Sequence, residues 1–212
     1  MTKPDVKRRA GRPTADEAEQ KRQRLVITAL EEFARAGFHA ASLRDIAERA
    51  EVSSRTLYNH FPDKFALFEA CLEYSGRQIQ PDIPRLEGDL QRRLTTYAIE
   101  MQRQLFDPVH LQIARLIYRE GTEFDGLRQI AHTQFERHQV QPVATMLEDE
   151  GLPPTTSHHL ATQFVAMAFG EWQRRLLFGG GPMSAGEMAG HAALVTSIFL
   201  GGIGAAEMNA AG

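Results

Sequence analysis

Cysteine is nearly missing from this chain. Cys71 is the single one in 212 residues, so no internal disulfide can form, which suits a reducing cytoplasm. Its place on an apolar helical stripe reads as a buried, inert thiol. No apolar run is long enough for a membrane span. The most apolar stretch, Ala192 to Ala206, is short and glycine-rich and reads as an interface helix. The charged, polar N-terminus carries no signal-peptide pattern. Strand-type alternation and internal repeats are absent too, which points to an all-α chain. His158 and His159 are adjacent, and His132 and His138 are not at the i, i+4 spacing of a zinc helix, so no metal is expected. No nucleophile elbow, phosphate loop or catalytic carboxylate pair is recognisable. The expectation is therefore not an enzyme, and no cofactor.

Lysine is absent after residue 64, and that absence exposes a charge asymmetry. The formal charge of −3 argues against a protein that coats nucleic acid. Yet residues 1–64 hold 13 Lys+Arg against 10 Asp+Glu, net +3, whereas residues 65–212 hold 11 against 17, net −6. A basic N-terminal module with an acidic remainder suits a DNA reader on a regulatory body. Residues 1–13, MTKPDVKRRAGRP, read as a disordered basic arm. Gly11-Arg12-Pro13 could lay arginine into a minor groove, or the arm could be only a solvating tail.

What is present is concentrated in residues 42–64, SLRDIAERAEVSSRTLYNHFPDK. Ser42 is placed to cap a helix with Leu43, Ile46, Ala47 and Ala50 on its buried face. Val52 can plug a turn into the core. Ser53 then caps a second helix anchored by Leu57 and Phe61. The remaining side chains, Ser54, Arg55, Thr56, Tyr58, Asn59 and His60, can all hydrogen bond. This is the layout of a helix-turn-helix whose second helix enters the major groove. Tyr58, His60 and Lys64 are expected on phosphates, which fix position. Arg44, Arg55, Thr56 and Asn59 are the candidates for base edges, which specify sequence. Ser53 and Ser54 complete the candidate DNA-binding set.

The segment ASLRDIAERAEVSSRTLYNHFPDKFALFEA resembles the N-terminal domain of the TetR/AcrR family of bacterial repressors. Its most specific piece, TLYNHFPDKFAL, is similar to the family pattern T-L-Y-x-H-F-x-x-K-x-x-L. Residues 15–36 and Gly37-Phe38 fit as well. Glu51 departs from the pattern, because the family turn usually carries Gly there; a left-handed non-Gly residue costs roughly 1 kcal/mol. The specific match covers about residues 20–70. Beyond it, the resemblance lies in length, helical content and element order.

The resemblance implies about nine helices: a helix-turn-helix DNA-binding domain over 14–62 and a larger ligand-binding and dimerisation domain over 63–212. Thr14 and Glu17 form a capping box for the first long helix, which Gly37 ends. A fourth helix starts near Asp63 and precedes a connection at Pro81–Pro84. A helix to about Phe106 follows, then one from Asp107-Pro108 to Glu120-Gly121. Residues 125–150 read as a long amphipathic segment bent at Pro142. Thr155 or Thr156 caps a helix to Leu177 or Phe178. Gly179–Pro182 makes a corner and Ser184 opens the last helix. Those last two helices are apolar on more than one face, which implies burial against a second subunit. Met101, Leu105, Arg115, Tyr118, Phe135, Gln139, Phe164 and Met167 are the candidate lining of an effector cavity.

The function so implied is a ligand-responsive, DNA-binding transcriptional regulator in the cytoplasm. Its expected mode is a homodimeric repressor, released from a palindromic double-stranded DNA operator by a small hydrophobic or aromatic effector. The alternative is a TetR-like helical lipid or small-molecule binding protein without DNA-binding function.

Overall fold

The structure is a computed structural model that describes residues 15–79 and 88–210, with side chains over 18–77 and 88–202. The expected arm over 1–13, the Thr14–Glu17 capping box and the Pro81–Pro84 connection lie, wholly or in their side chains, outside the described residues. The elements are α1 (Ala15–Ala36), α2 (Leu43–Arg49), α3 (Ser54–His60), α4 (Lys64–Ile79), α5 (Leu90–Leu105), α6 (Pro108–Glu120), α7 (Asp125–Phe135), a π-helical turn (Glu136–Val140), α8 (Gln141–Asp149), α9 (Pro154–Phe178) and α10 (Ala185–Ala210). Counted as one continuous rod, α7, the π turn and α8 bring the described residues to nine helices. The chain is all-α, and none of its described helices is long and apolar enough to cross a membrane.

Local chemistry sets the helix ends. Asp89 caps α5 by accepting from Arg92 N at 2.8 Å. Asp107 caps α6 through Val109 N at 2.9 Å, with Pro108 at the first helical position, where no N–H is needed. α9 starts slightly earlier than Thr155. Pro154 takes the same first position there, and no side chain caps it. Gly37 stops α1 with φ of 87°, a left-handed conformation suited to glycine.

The interruption expected near Pro142 takes the form of a π turn. Pro142 lacks the N–H that would bond to the carbonyl of His138. The chain widens into the π turn just before it, and Gln141 N donates to Glu136 O instead. Tyr97 braces this turn from α5. Its buried hydroxyl donates to Gln139 O at 2.8 Å.

Two apolar clusters fill the molecule. The first joins α1, α2 and α3 to α4 and to the inner faces of α6 and α7. Leu25, Phe33, Ile46, Leu57, Phe68 and Leu116 are among its members. The second joins α5, the π turn and α8 to α9 and α10 through Tyr97, Met101, Leu147, Phe164, Trp172 and Phe199. The division at residue 62 expected along the chain is therefore not where packing divides. α4 shares the reader's core. Cys71 sits in that core, fully buried, with its thiol donating to Val26 O at 3.4 Å, and burial pushes its pKa up.

Candidate DNA interface and effector cavity

Two caps and a turn position the reader. Ser42 Oγ accepts from Asp45 N at 3.3 Å, and Ser53 Oγ accepts from Thr56 N at 3.1 Å. Between them, Val52 N donates to Ala47 O at 3.0 Å, folding the turn back on α2, and half-buried Val52 packs on the first core. Glu51 occupies this turn with φ of 56°. It is the one non-glycine residue with positive φ among the described residues. Ala47, 1% exposed, lies in the first core with Ile46 and Leu57 of the two reader helices.

Leu57 and Phe61 anchor α3 inward. Ser54, Arg55, Tyr58 and Asn59 are exposed along the helix, and Thr56 and His60 are half-buried at its margins. Tyr58 is 54% exposed, unusual for an aromatic ring without a protein partner to cover it. Arg44 is exposed on α2. Ser53 and Thr56 also bond to each other through their hydroxyls at 2.8 Å, so both are engaged in holding the start of α3.

Lys64 is differently placed. Its ammonium donates to Phe38 O at 3.0 Å and His39 O at 3.1 Å and lies 5.3 Å from the centre of the Phe38 ring. Three N–H groups minus these two leaves at most one for a phosphate. Burial lowers its pKa, opposed by the charge of Glu120. Lys64 thus braces the turn after α1.

Glu120, at the end of α6, grips that same turn. Its carboxylate is buried and accepts from His39 N at 2.8 Å. Burial raises its pKa, but the Arg119 guanidinium at 2.6 Å and the His39 and Phe38 amides outweigh that and hold it below the usual carboxylate value. A Cβ on Gly37 would collide with the Glu120 carboxylate, so glycine there permits the close approach. A second brace joins α1 to α2. Buried Glu32 accepts from Arg49 at 2.7 Å and from Arg35 at 2.7 Å.

The body holds a cavity of about 160 Å³ between α4, α5, α6, α7, the π turn and α9. Leu72, Ile113, Ile117, Phe135, Phe169 and Trp172 give it apolar and aromatic walls. Phe169 packs edge-on against both Phe135 and Trp172, with ring centres 5.2 and 5.5 Å apart. Trp172 Nε1 donates to Leu105 O at 3.0 Å, which fixes the indole.

Of the expected lining, Leu105, Phe135 and Gln139 lie on this cavity. Met101 and Phe164 are wholly buried in the second core, and Met167 packs half-buried beside it. Arg115 is exposed and borders a separate depression with Phe106, Leu111 and Arg175. Tyr118 is 47% exposed and accepts from Gln173 Nε2 at 2.9 Å. Trp172, Phe169, His110, Gln134 and His138 were not expected there. The signal for the last was Pro142, four residues on, which frees its carbonyl and forces the π turn.

The matched family model, bacterial regulatory proteins of the tetR family, covers residues 25–71, from α1 to α4. Residues 25–71 thus carry a domain of the tetR-family type. The chain is 30% identical over 116 residues to the HTH-type transcriptional regulator SrpR of Pseudomonas putida. That alignment covers 55% of this chain and 54% of SrpR, about half the length of that relative. The HTH-type transcriptional repressor SCO4008 of Streptomyces coelicolor is 26% identical over 180 residues, covering 79% of this chain and 88% of its own. Among solved structures, a putative TetR-family transcriptional regulator from Mesorhizobium loti superposes with a TM-score of 0.73 at 22% identity. It covers 89% of this chain and 98% of its own, which shows a shared fold.

Proposed function

We propose that this chain is a ligand-responsive, DNA-binding transcriptional repressor of the cytoplasm. The observation that carries this reading is the exposed polar face of α3, held by two serine caps on a braced three-helix unit. A helix presenting Arg55, Tyr58 and Asn59 outward fits a major groove. The same face counts against a protein that binds lipid and no longer reads DNA.

The homodimer is proposed to form through α9 and α10. Leu177, Phe178, Leu194 and Ile198 stand between 52% and 81% exposed on these helices. Leu194 and Ile198 share one face of α10 at i, i+4 spacing, and exposed large apolar side chains favour a partner. Two-fold pairing would set two readers on a palindromic operator.

The effector is proposed to enter the cavity, which both α4 and α6 border. Leu72, Ser75 and Gly76 of α4 line it, and the start of that helix holds Phe38 and His39 through Lys64. Ile113 and Ile117 of α6 line it, and the end of that helix holds His39 through Glu120. Both rods end on the same turn of the reader. An effector can use them only through its difference in affinity between two states; 1–3 kcal/mol of coupling is typical. The test is selection of genomic fragments by the purified protein at moderate salt. Fragments sharing a palindrome are expected; failure to enrich any site would refute the reading.

A further inference from the structure

The cavity wall carries buried acceptor atoms without partners among the described residues. His138 is 4% exposed, and its Nε2 lies 3.2 Å from Glu73 Oε2. Facing a carboxylate, Nε2 carries a proton. His138 Nδ1 is buried and finds no partner among the described residues. Glu73 also accepts from Arg77 at 2.9 Å and Arg137 at 2.8 Å. With the proton of the neutral imidazole on Nε2, Nδ1 is a lone-pair acceptor. Gln134 is 6% exposed, and its Oε1 is likewise unpartnered. His110 Nδ1 lies 2.8 Å from Gln104 O, so it donates there, and its Nε2 is left as an acceptor. A Cβ on Gly76 would strike the His138 ring, so α4 leaves room for this imidazole.

We propose that this cavity binds a small hydroxylated aromatic compound of the phenol class, its hydroxyl donating to His138 Nδ1 with the Gln134 amide as second partner. This rests on the regulator reading for its purpose but not for its chemistry. The aromatic walls favour a flat ring, and about 160 Å³ suits one ring, since a cavity near this size takes benzene. A plain hydrocarbon leaves the buried acceptors unpaired. A carboxylate brings its charge against lone pairs. An aromatic cation meets a cluster of two arginines on one glutamate.

Trp172 is the single tryptophan and lines the cavity, so intrinsic fluorescence of the full chain reads occupancy directly. Titrations with phenol, resorcinol, toluene and benzoate are the test. The hydroxylated probes are expected to bind at least about tenfold tighter than toluene or benzoate, as one net hydrogen bond allows. His138→Phe should erase that preference while toluene still binds. Gln134→Leu, which leaves the Glu73 cluster untouched, should reduce it. Toluene or benzoate binding as tightly as phenol would overturn the proposal, as would no response to any probe at millimolar concentration. Phenol selectivity without operator binding would uphold this inference and sink the regulator reading instead.

Discussion

Replacing Glu120 by alanine should loosen the reader from the body. The carboxylate is 8% exposed and accepts from His39 N at 2.8 Å, with the Phe38 amide also directed at it. Hydrogen bonds to a charged group contribute about 1.5–3 kcal/mol each. The Arg119 pair adds little, because Arg119 is 66% exposed and such pairs are worth about 0–1 kcal/mol. Removing the carboxylate also removes its own desolvation cost, so the net loss should be about 2–4 kcal/mol. In a chain of this length each kcal/mol moves the melting temperature by roughly 2–4 °C. Urea unfolding at neutral pH measures the first quantity and a thermal scan the second. Glu120→Gln keeps an oxygen acceptor and should lose about half as much. The folded-state pKa of Glu120 is depressed, so its contribution is complete above the ordinary carboxylate value. It fades as pH falls through the folded value. The glutamine variant should accordingly show a flatter acid limb. A Glu120→Ala protein within about 0.5 kcal/mol of wild type would refute the reasoning.

Three further outcomes follow from the same geometry. Glu51→Gly relieves a left-handed residue at φ of 56° and should stabilise the chain by about 1 kcal/mol, read as a higher melting temperature with an unchanged urea m-value. Tyr97→Phe leaves the carbonyl of Gln139 buried without its hydroxyl donor and should cost about 1–3 kcal/mol by urea unfolding. Glu73 has a folded pKa of about 2, below its ordinary 4.5. Burial pushes it up, but the hydrogen bonds from His138, Arg77 and Arg137 outweigh that; the stability it gives is present above about 4.5 and lost as pH falls toward 2. Glu73→Gln should therefore remove part of the acid dependence of unfolding, and an unaltered pH profile would contradict that assignment.

The reader was legible because its determinants are local. Ser42 and Ser53 each bond within three residues, and Leu57 and Phe61 mark one face of a short helix. Even the misfit at Glu51 could be read, since its backbone strain belongs to one residue. The cavity was much less legible. Arg115 and Tyr118 have suitable chemistry, but they lie on the far side of α6 from Ile113 and Ile117. Which face of a helix looks inward depends on where α4, α7 and α9 cross it, and no short spacing records that. Trp172 stands on a helix apolar on more than one face, so spacing alone does not aim it; its bond to Leu105 fixes it on the cavity. Lys64 carries the right charge at the right distance from α3, yet two carbonyls of a turn 25 residues earlier claim its ammonium.

The central claim, that α3 reads DNA sequence, meets its most direct test in binding affinities at fixed physiological salt. A duplex carrying a selected palindrome should be compared with a scrambled duplex of equal length, using wild type and the Arg55→Ala, Asn59→Ala double variant. Wild type should prefer the palindrome by about 10³-fold or more, and that preference should collapse by at least about tenfold in the variant as base contacts worth roughly 1–3 kcal/mol are lost. Equal affinity of wild type for the two duplexes, or an unchanged preference in the variant, would contradict it.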